Sequence, residues 1–155
     1  MKTATLILTG VLTFSGLSAQ AQPNQVMATD TTSLKMVGVL AASYLYQSYL
    51  NIGYLADLNA VKAYKYQELN DNLNTVIQII GGVRDQLKLY SLVLPVKSDS
   101  QYVSILVQTS DLLLQEAAAL RKYIQTESEQ DAAVYLHLNQ QARSILGRLL
   151  GLQED

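Results

Sequence analysis

Hydrophobic positions recur at helical spacing over most of the chain. Between residues 66 and 94, Tyr66, Leu69, Leu73, Val76, Ile80, Val83, Leu87, Tyr90 and Leu94 follow one another in alternating steps of three and four. Such a seam predicts a long amphipathic helix. Pro95 sets its limit, because proline has no N–H and disfavours a helical residue before it. Ser98-Asp99-Ser100-Gln101 then reads as a capping box, opening a helix with Tyr102, Leu106, Leu113, Ala117, Leu120 and Ile124 on its inner face. The stretch from Ser128 to Asp131 restarts the chain, with acids in the first turn where the helix dipole favours them. A second seam, Tyr135, Leu138, Ala142, Ile145, Leu149 and Leu152, predicts the last helix. No sustained alternation and no Asn-Gly or Asp-Gly turn speaks for strands.

The segment before these is apolar in a different way. No charge occurs between Lys35 and Asp57, and YLYQSYLNIGYLAD, residues 44–57, holds four tyrosines. Residues 36–56 have the length of a membrane span, about 20 residues. Gln47, Asn51, two serines and four tyrosines argue against one, since unpaired polar groups are costly in lipid. A helix apolar all round is otherwise buried on more than one side. The stripe Leu34, Gly38, Ala41, Leu45, Ser48, Ile52 and Leu55 suits a bundle core. The opposite stripe is Val39, Ala42, Tyr46, Leu50, Gly53 and Tyr54, with Asp57 next along it. A turn at 59–65, preferred to one at 70–72, keeps the long seam in one piece. The expected helices are then about 33–58, 65–94, 99–126 and 129–150. Short connections between them predict an all-α fold, an antiparallel up-and-down four-helix bundle over residues 32–152.

Residues 1–21 do not belong to that bundle. Met1-Lys2 is a short positive start, Ala4 to Phe14 an uncharged and mostly apolar run, and Ala19-Gln20-Ala21 places small residues before a cut after Ala21. This is the layout of a secretory signal peptide, too short to span as a helix. Leu17-Ser18-Ala19 is followed by Gln20 rather than Cys, so no lipid anchor is expected. Residues 22–31 read as a disordered lead-in. The mature chain is expected to be exported, periplasmic or secreted, without stable membrane insertion.

Charge and composition narrow the function classes. Without Lys2, ten Lys and Arg face thirteen Asp and Glu, which gives no basic excess for nucleic acid or an anionic surface. The absence of Cys excludes disulfides and thiolate metal sites. Charged residues make up 15% of the chain, against roughly 25% in an average domain, so amides, serines and tyrosines supply much of the polar surface. Tyrosine combines a large contact area with a hydrogen-bonding tip and is enriched where proteins meet. Tyr46, Leu50, Tyr54 and Asp57 are therefore the expected partner-binding residues, for a second copy or another protein. The alternative is a small apolar or aromatic ligand carried within the bundle near Tyr44, Ser48 and Asn51.

Signals for catalysis or a cofactor are weak. His137 is the sole histidine and falls outside the last seam. In an antiparallel bundle it lies level with about residue 50, leaving Met36 about 20 Å away along the axis, too far to share a haem. Glu68, Glu116, Glu127, Glu129 and Glu154 lack the Glu-x-x-His spacing of di-metal bundles, and Glu116, nearest an inner face, reads as a boundary residue. No credible triad or glycine-rich phosphate loop is present. Gly81-Gly82 sits inside a helix, where it is expected to mark a kink or a dent. No enzyme activity, cofactor or metal is expected.

Tyr49-Leu50-Asn51-Ile52-Gly53-Tyr54-Leu55-Ala56-Asp57, together with the ending Leu146 to Leu152, resembles an uncharacterised family of small exported bacterial helical-bundle proteins. The resemblance implies a helical bundle and carries no function.

Overall fold

The computed structural model describes residues 31–94 and 96–152, and of Thr31–Leu34, Lys97 and Ser98 the backbone alone. Regular structure among these residues is entirely helical: α1 (Thr31–Ala60), α2 (Tyr66–Ser91), α3 (Lys97–Thr126) and α4 (Glu129–Leu150). The expected signal peptide and all but the last residue of the expected lead-in lie outside the described residues. That last residue, Thr31, is already helical.

Local chemistry explains most of the boundaries. Helix α2 starts where the Lys65 N–H donates to the Glu68 carboxylate at 2.9 Å, satisfying one of the donors that a helix start leaves open. It stops at Ser91, earlier than the seam suggests, and Leu92 and Val93 tighten the end through bonds to the carbonyls of Leu89 and Tyr90. Ser91 lies four residues before Pro95, which has no N–H to give to its carbonyl. The capping box expected at Ser98 is not the start of α3: that helix begins at Lys97, with Val96 in the extended N-cap position and no side-chain cap. Ser128 does cap α4, its hydroxyl accepting from the Asp131 N–H at 3.1 Å. Gly151, at φ 67°, closes the same helix in the left-handed conformation that glycine adopts without strain.

The four helices pack on one core. Helix α1 touches α2, α3 and α4, while α2 and α4 do not meet. Small residues buried on α1 (Gly38, Ala42, Ser48) and on α3 (Thr109, Ser110, Ala117) thin the inner sides of these two helices and let them approach. At Gly38 the approach is close enough that a Cβ would stand 2.5 Å from the Tyr102 ring. The buried hydroxyls are satisfied locally, Ser48, Thr109 and Ser110 donating to carbonyls four residues back at 3.0, 2.8 and 2.9 Å. Leu45, Ile52, Leu69, Leu73, Ile80, Leu106, Leu113, Leu120 and Leu146 fill the remaining space, each buried side chain contributing about 2 kcal/mol of transfer energy.

Burial departs from the expected stripes in three places. Ala42, assigned to the outer stripe of α1, is fully buried, because α1 has neighbours on both flanks. Tyr66, the first residue of the long seam, is exposed at the end of α2. On α4 the core line passes through Tyr135, Ala142 and Leu146, with Leu138 only half-buried and Leu152 exposed. No described helix is long and apolar enough to cross a membrane.

Candidate functional site

The outward side of α1 bears out the unusual composition of its sequence. Met36, Val39, Leu40, Leu50 and Tyr54 are exposed large apolar side chains on this helix, Met36 at 62% and Tyr54 at 63%. Ser43, Gln47 and Asn51 lie exposed among them, and Asp57 is the first charge after Lys35. Of the four residues expected to bind a partner, Leu50, Tyr54 and Asp57 are exposed, whereas Tyr46 is half-buried and stacks on Tyr49 with ring centroids 6.2 Å apart.

Bordered by part of this face, a groove of about 770 Å³ runs between α1 and α4, with Tyr123 of α3 reaching it. Helix α1 contributes Tyr49, Leu50, Asn51, Tyr54 and Asp57, and α4 contributes Tyr135, Leu136 and Asn139. Asn139 joins three helices: its Oδ1 accepts from the Tyr49 hydroxyl at 3.5 Å, and its Nδ2 donates to Glu116 Oε1 at 2.8 Å. This pairing accounts for the altered core line of α4, since it turns an amide inward where the heptad pattern favoured Leu138.

Glu116 is the residue that sequence reasoning misplaced. Expected at a boundary, it is 0% exposed, and its Oε2 has no hydrogen-bond partner. Burial drives its pKa up to about 7, and the Asn139 hydrogen bond only partly opposes that rise. Burial also raises Tyr135 and Tyr49, in both cases reinforced by the nearby Glu116 charge. For Tyr49, Arg143 and the Asn139 hydrogen bond act in the lowering direction. The available signal in the sequence was the inward position of Glu116, but nothing in the α3 pattern revealed an amide waiting on α4.

Tyr44, Ser48 and Asn51 are not brought together. Tyr44 lines a second, uncharged groove of about 490 Å³ between α1 and α2, with Ile79, Val83 and Tyr90. The Ser48 hydroxyl is occupied by the Tyr44 carbonyl at 3.0 Å within the core. Asn51 lines the α1–α4 groove, where its Oδ1 accepts from Gln47 at 3.3 Å. His137 is exposed, one ring nitrogen 3.0 Å from the Gln141 amide. Among the described residues, no group of three His, Cys, Asp or Glu is placed to hold a metal.

At the connections, Lys62 and Glu127, both in the left-handed conformation, form an ion pair between the α1–α2 and α3–α4 turns. Lys122 and Asp131 pair at 2.7 Å across the α3–α4 turn. The Lys122 hydrogen bond, followed by that of Thr126, lowers the Asp131 pKa to about 2.

No family model matches this chain, and neither curated proteins nor solved structures include a match.

Proposed function

We propose that the protein is an exported, antiparallel up-and-down four-helix bundle that acts by binding, through the uncharged outer face of α1, a second copy of itself or another protein. The carrying observation is the exposure of Met36, Val39, Leu40, Leu50 and Tyr54 along a helix with no charge between Lys35 and Asp57. A helix whose solvent side is meant to stay wet places Lys and Glu there, and exposed apolar patches mark interaction surfaces. The signal-like first 21 residues support export. Cross-helix pairing supports the up-and-down course. Arg84 reaches Asp111 and Arg121 reaches Asn74, so rising numbers on α3 meet falling numbers on α2. Glu116–Asn139 and Lys122–Asp131 relate α3 and α4 in the same way.

Sedimentation velocity of the mature chain and of the Leu50→Lys and Tyr54→Lys variants tests self-association. The reading expects each variant to lose association while keeping the wild-type Tm. A fall in Tm without any wild-type assembly to lose would make these side chains part of the monomer's own packing and remove the support for self-association.

A second reading, a non-enzymatic carrier or sensor of a small molecule, is favoured by the α1–α4 groove. Four tyrosines and the amides of Asn51 and Asn139 line it, and its volume of about 770 Å³ lies within the range of small-molecule sites. Mass retained by the mature chain in native mass spectrometry is the expected sign of such cargo.

A further inference from the structure

The α1–α4 groove shares Leu50, Asn51, Tyr54 and Asp57 with the outer face of α1 and adds the aromatic rings of α3 and α4 to them. Tyr49, Tyr54, Tyr123 and Tyr135 supply aromatic surface, and among the described residues lining the groove Asp57 alone carries a charge. Behind the wall, the fully buried Glu116 carboxyl is joined to the lining residue Asn139 and leaves Oε2 without a partner. Arg143 acts on Tyr49 but does not line the groove. The groove therefore combines tyrosine rings with one lining carboxylate, and an unsatisfied carboxyl oxygen lies buried behind Asn139.

These observations discriminate among ligand classes. An anion would meet Asp57, and Glu116 once that carboxyl ionises, with no lysine or arginine in the lining to offset them. A neutral aromatic molecule would use the rings and leave both acids unanswered. A cation answers each feature: its charge is attracted to the faces of tyrosine rings, and carboxylates complement it.

We propose that the α1–α4 groove binds a small organic cation, an amine or quaternary ammonium, received by its tyrosine rings and Asp57 and favoured by the Glu116 carboxyl behind Asn139. This rests on the second reading above, a ligand in the groove, and not on association through α1. A buried acid without a full set of partners is costly in a chain stabilised by packing, and a cationic ligand gives that cost a use.

The test is calorimetric titration of the mature chain with two matched pairs of probes. One is choline against its neutral isostere, in which carbon replaces the ammonium nitrogen; the other is benzylamine against benzyl alcohol. At least one cation is expected to bind about fivefold or more tightly than its neutral counterpart, the scale of a single cation–π contact at a partly exposed site. Asp57→Asn, at an exposed position, is expected to weaken the cation by a similar factor and leave the neutral probe unchanged. Glu116→Gln is expected to do the same at pH 8, above the pKa of about 7 at which Glu116 ionises, with its folding checked by circular dichroism. Equal binding of cation and neutral isostere would overturn the assignment of charge while leaving the groove as a binding site. Failure of all four probes to bind would overturn both the cation and the groove.

Discussion

Glu116 and Asp131 are both acids with little exposed surface, one in the core and one at the α3–α4 turn, and their surroundings push them in opposite directions. Glu116 is buried beside one amide donor, and its pKa stands near 7 rather than 4.5. Folding thus favours its protonated form. Its contribution to stability is fully present below pH 4.5 and lost as pH rises through about 7, a change on the order of 3 kcal/mol. Urea denaturation across that interval is expected to show wild-type stability falling with pH, and Glu116→Gln, which keeps an acceptor for Asn139, is expected to flatten the curve. A wild-type curve already flat there would mean that Glu116 has a partner in solution. Asp131 behaves in the reverse sense. Lys122, Thr126 and Ser128 lower its pKa from 3.8 to about 2, so its contribution is present above pH 3.8 and lost as pH falls toward 2. Asp131→Asn is expected to be less stable than wild type at neutral pH and to converge with it at the acid end of a helical circular dichroism titration. Asp131 was legible as a first-turn acid, because the Ser128 cap and the dipole are local signals. Glu116 was not, because what holds it is an amide 23 residues away on another helix.

At the scale of single helices, Gly81 and Gly82 face open space, and Gly82 lines the α1–α2 groove. Helix α2 continues through both residues, and a Cβ on either would meet nothing within 4 Å. Gly81→Ala and Gly82→Ala are each expected to raise stability by about 1 kcal/mol in chemical denaturation, the difference in helix propensity. Gly38 has the opposite character. Its Cβ would press on the far end of the half-buried Tyr102 ring, so Gly38→Ala is expected to forfeit that gain of about 1 kcal/mol and to recover it in a Tyr102→Ala background. The seams of α2 and α3 were readable because apolar periodicity reports one buried face. Helix α4 was readable in extent but not in rotation, since the inward turn of Asn139 breaks the rule that the core line is apolar. The start of α3 was misread because a good capping sequence at Ser98 competes with a helix already begun at Lys97.

For the molecule as a whole, the sequence carried the all-helical character of the described residues and the lack of a spanning helix among them, because both follow from apolar periodicity. Burial on several sides explains half of α1, where Ala42, Leu45, Ser48 and Ile52 lie within the bundle. Its other half lies outside, without charge between Lys35 and Asp57, and among the described residues nothing covers it. The grooves were beyond reach because they depend on how neighbouring helices are set against one another. Tyr44 and Asn51, seven residues apart, therefore fell into different grooves. The most direct test of the α1 surface is site-specific photo-crosslinking in cells exporting the protein. The probe is placed at Leu40 and at Tyr54, with Lys88 on α2 as the control position. The account predicts discrete covalent adducts from both α1 positions, absent from Lys88 and lost on adding Leu50→Lys. Equal labelling at all three positions, or no adduct from α1, would contradict it.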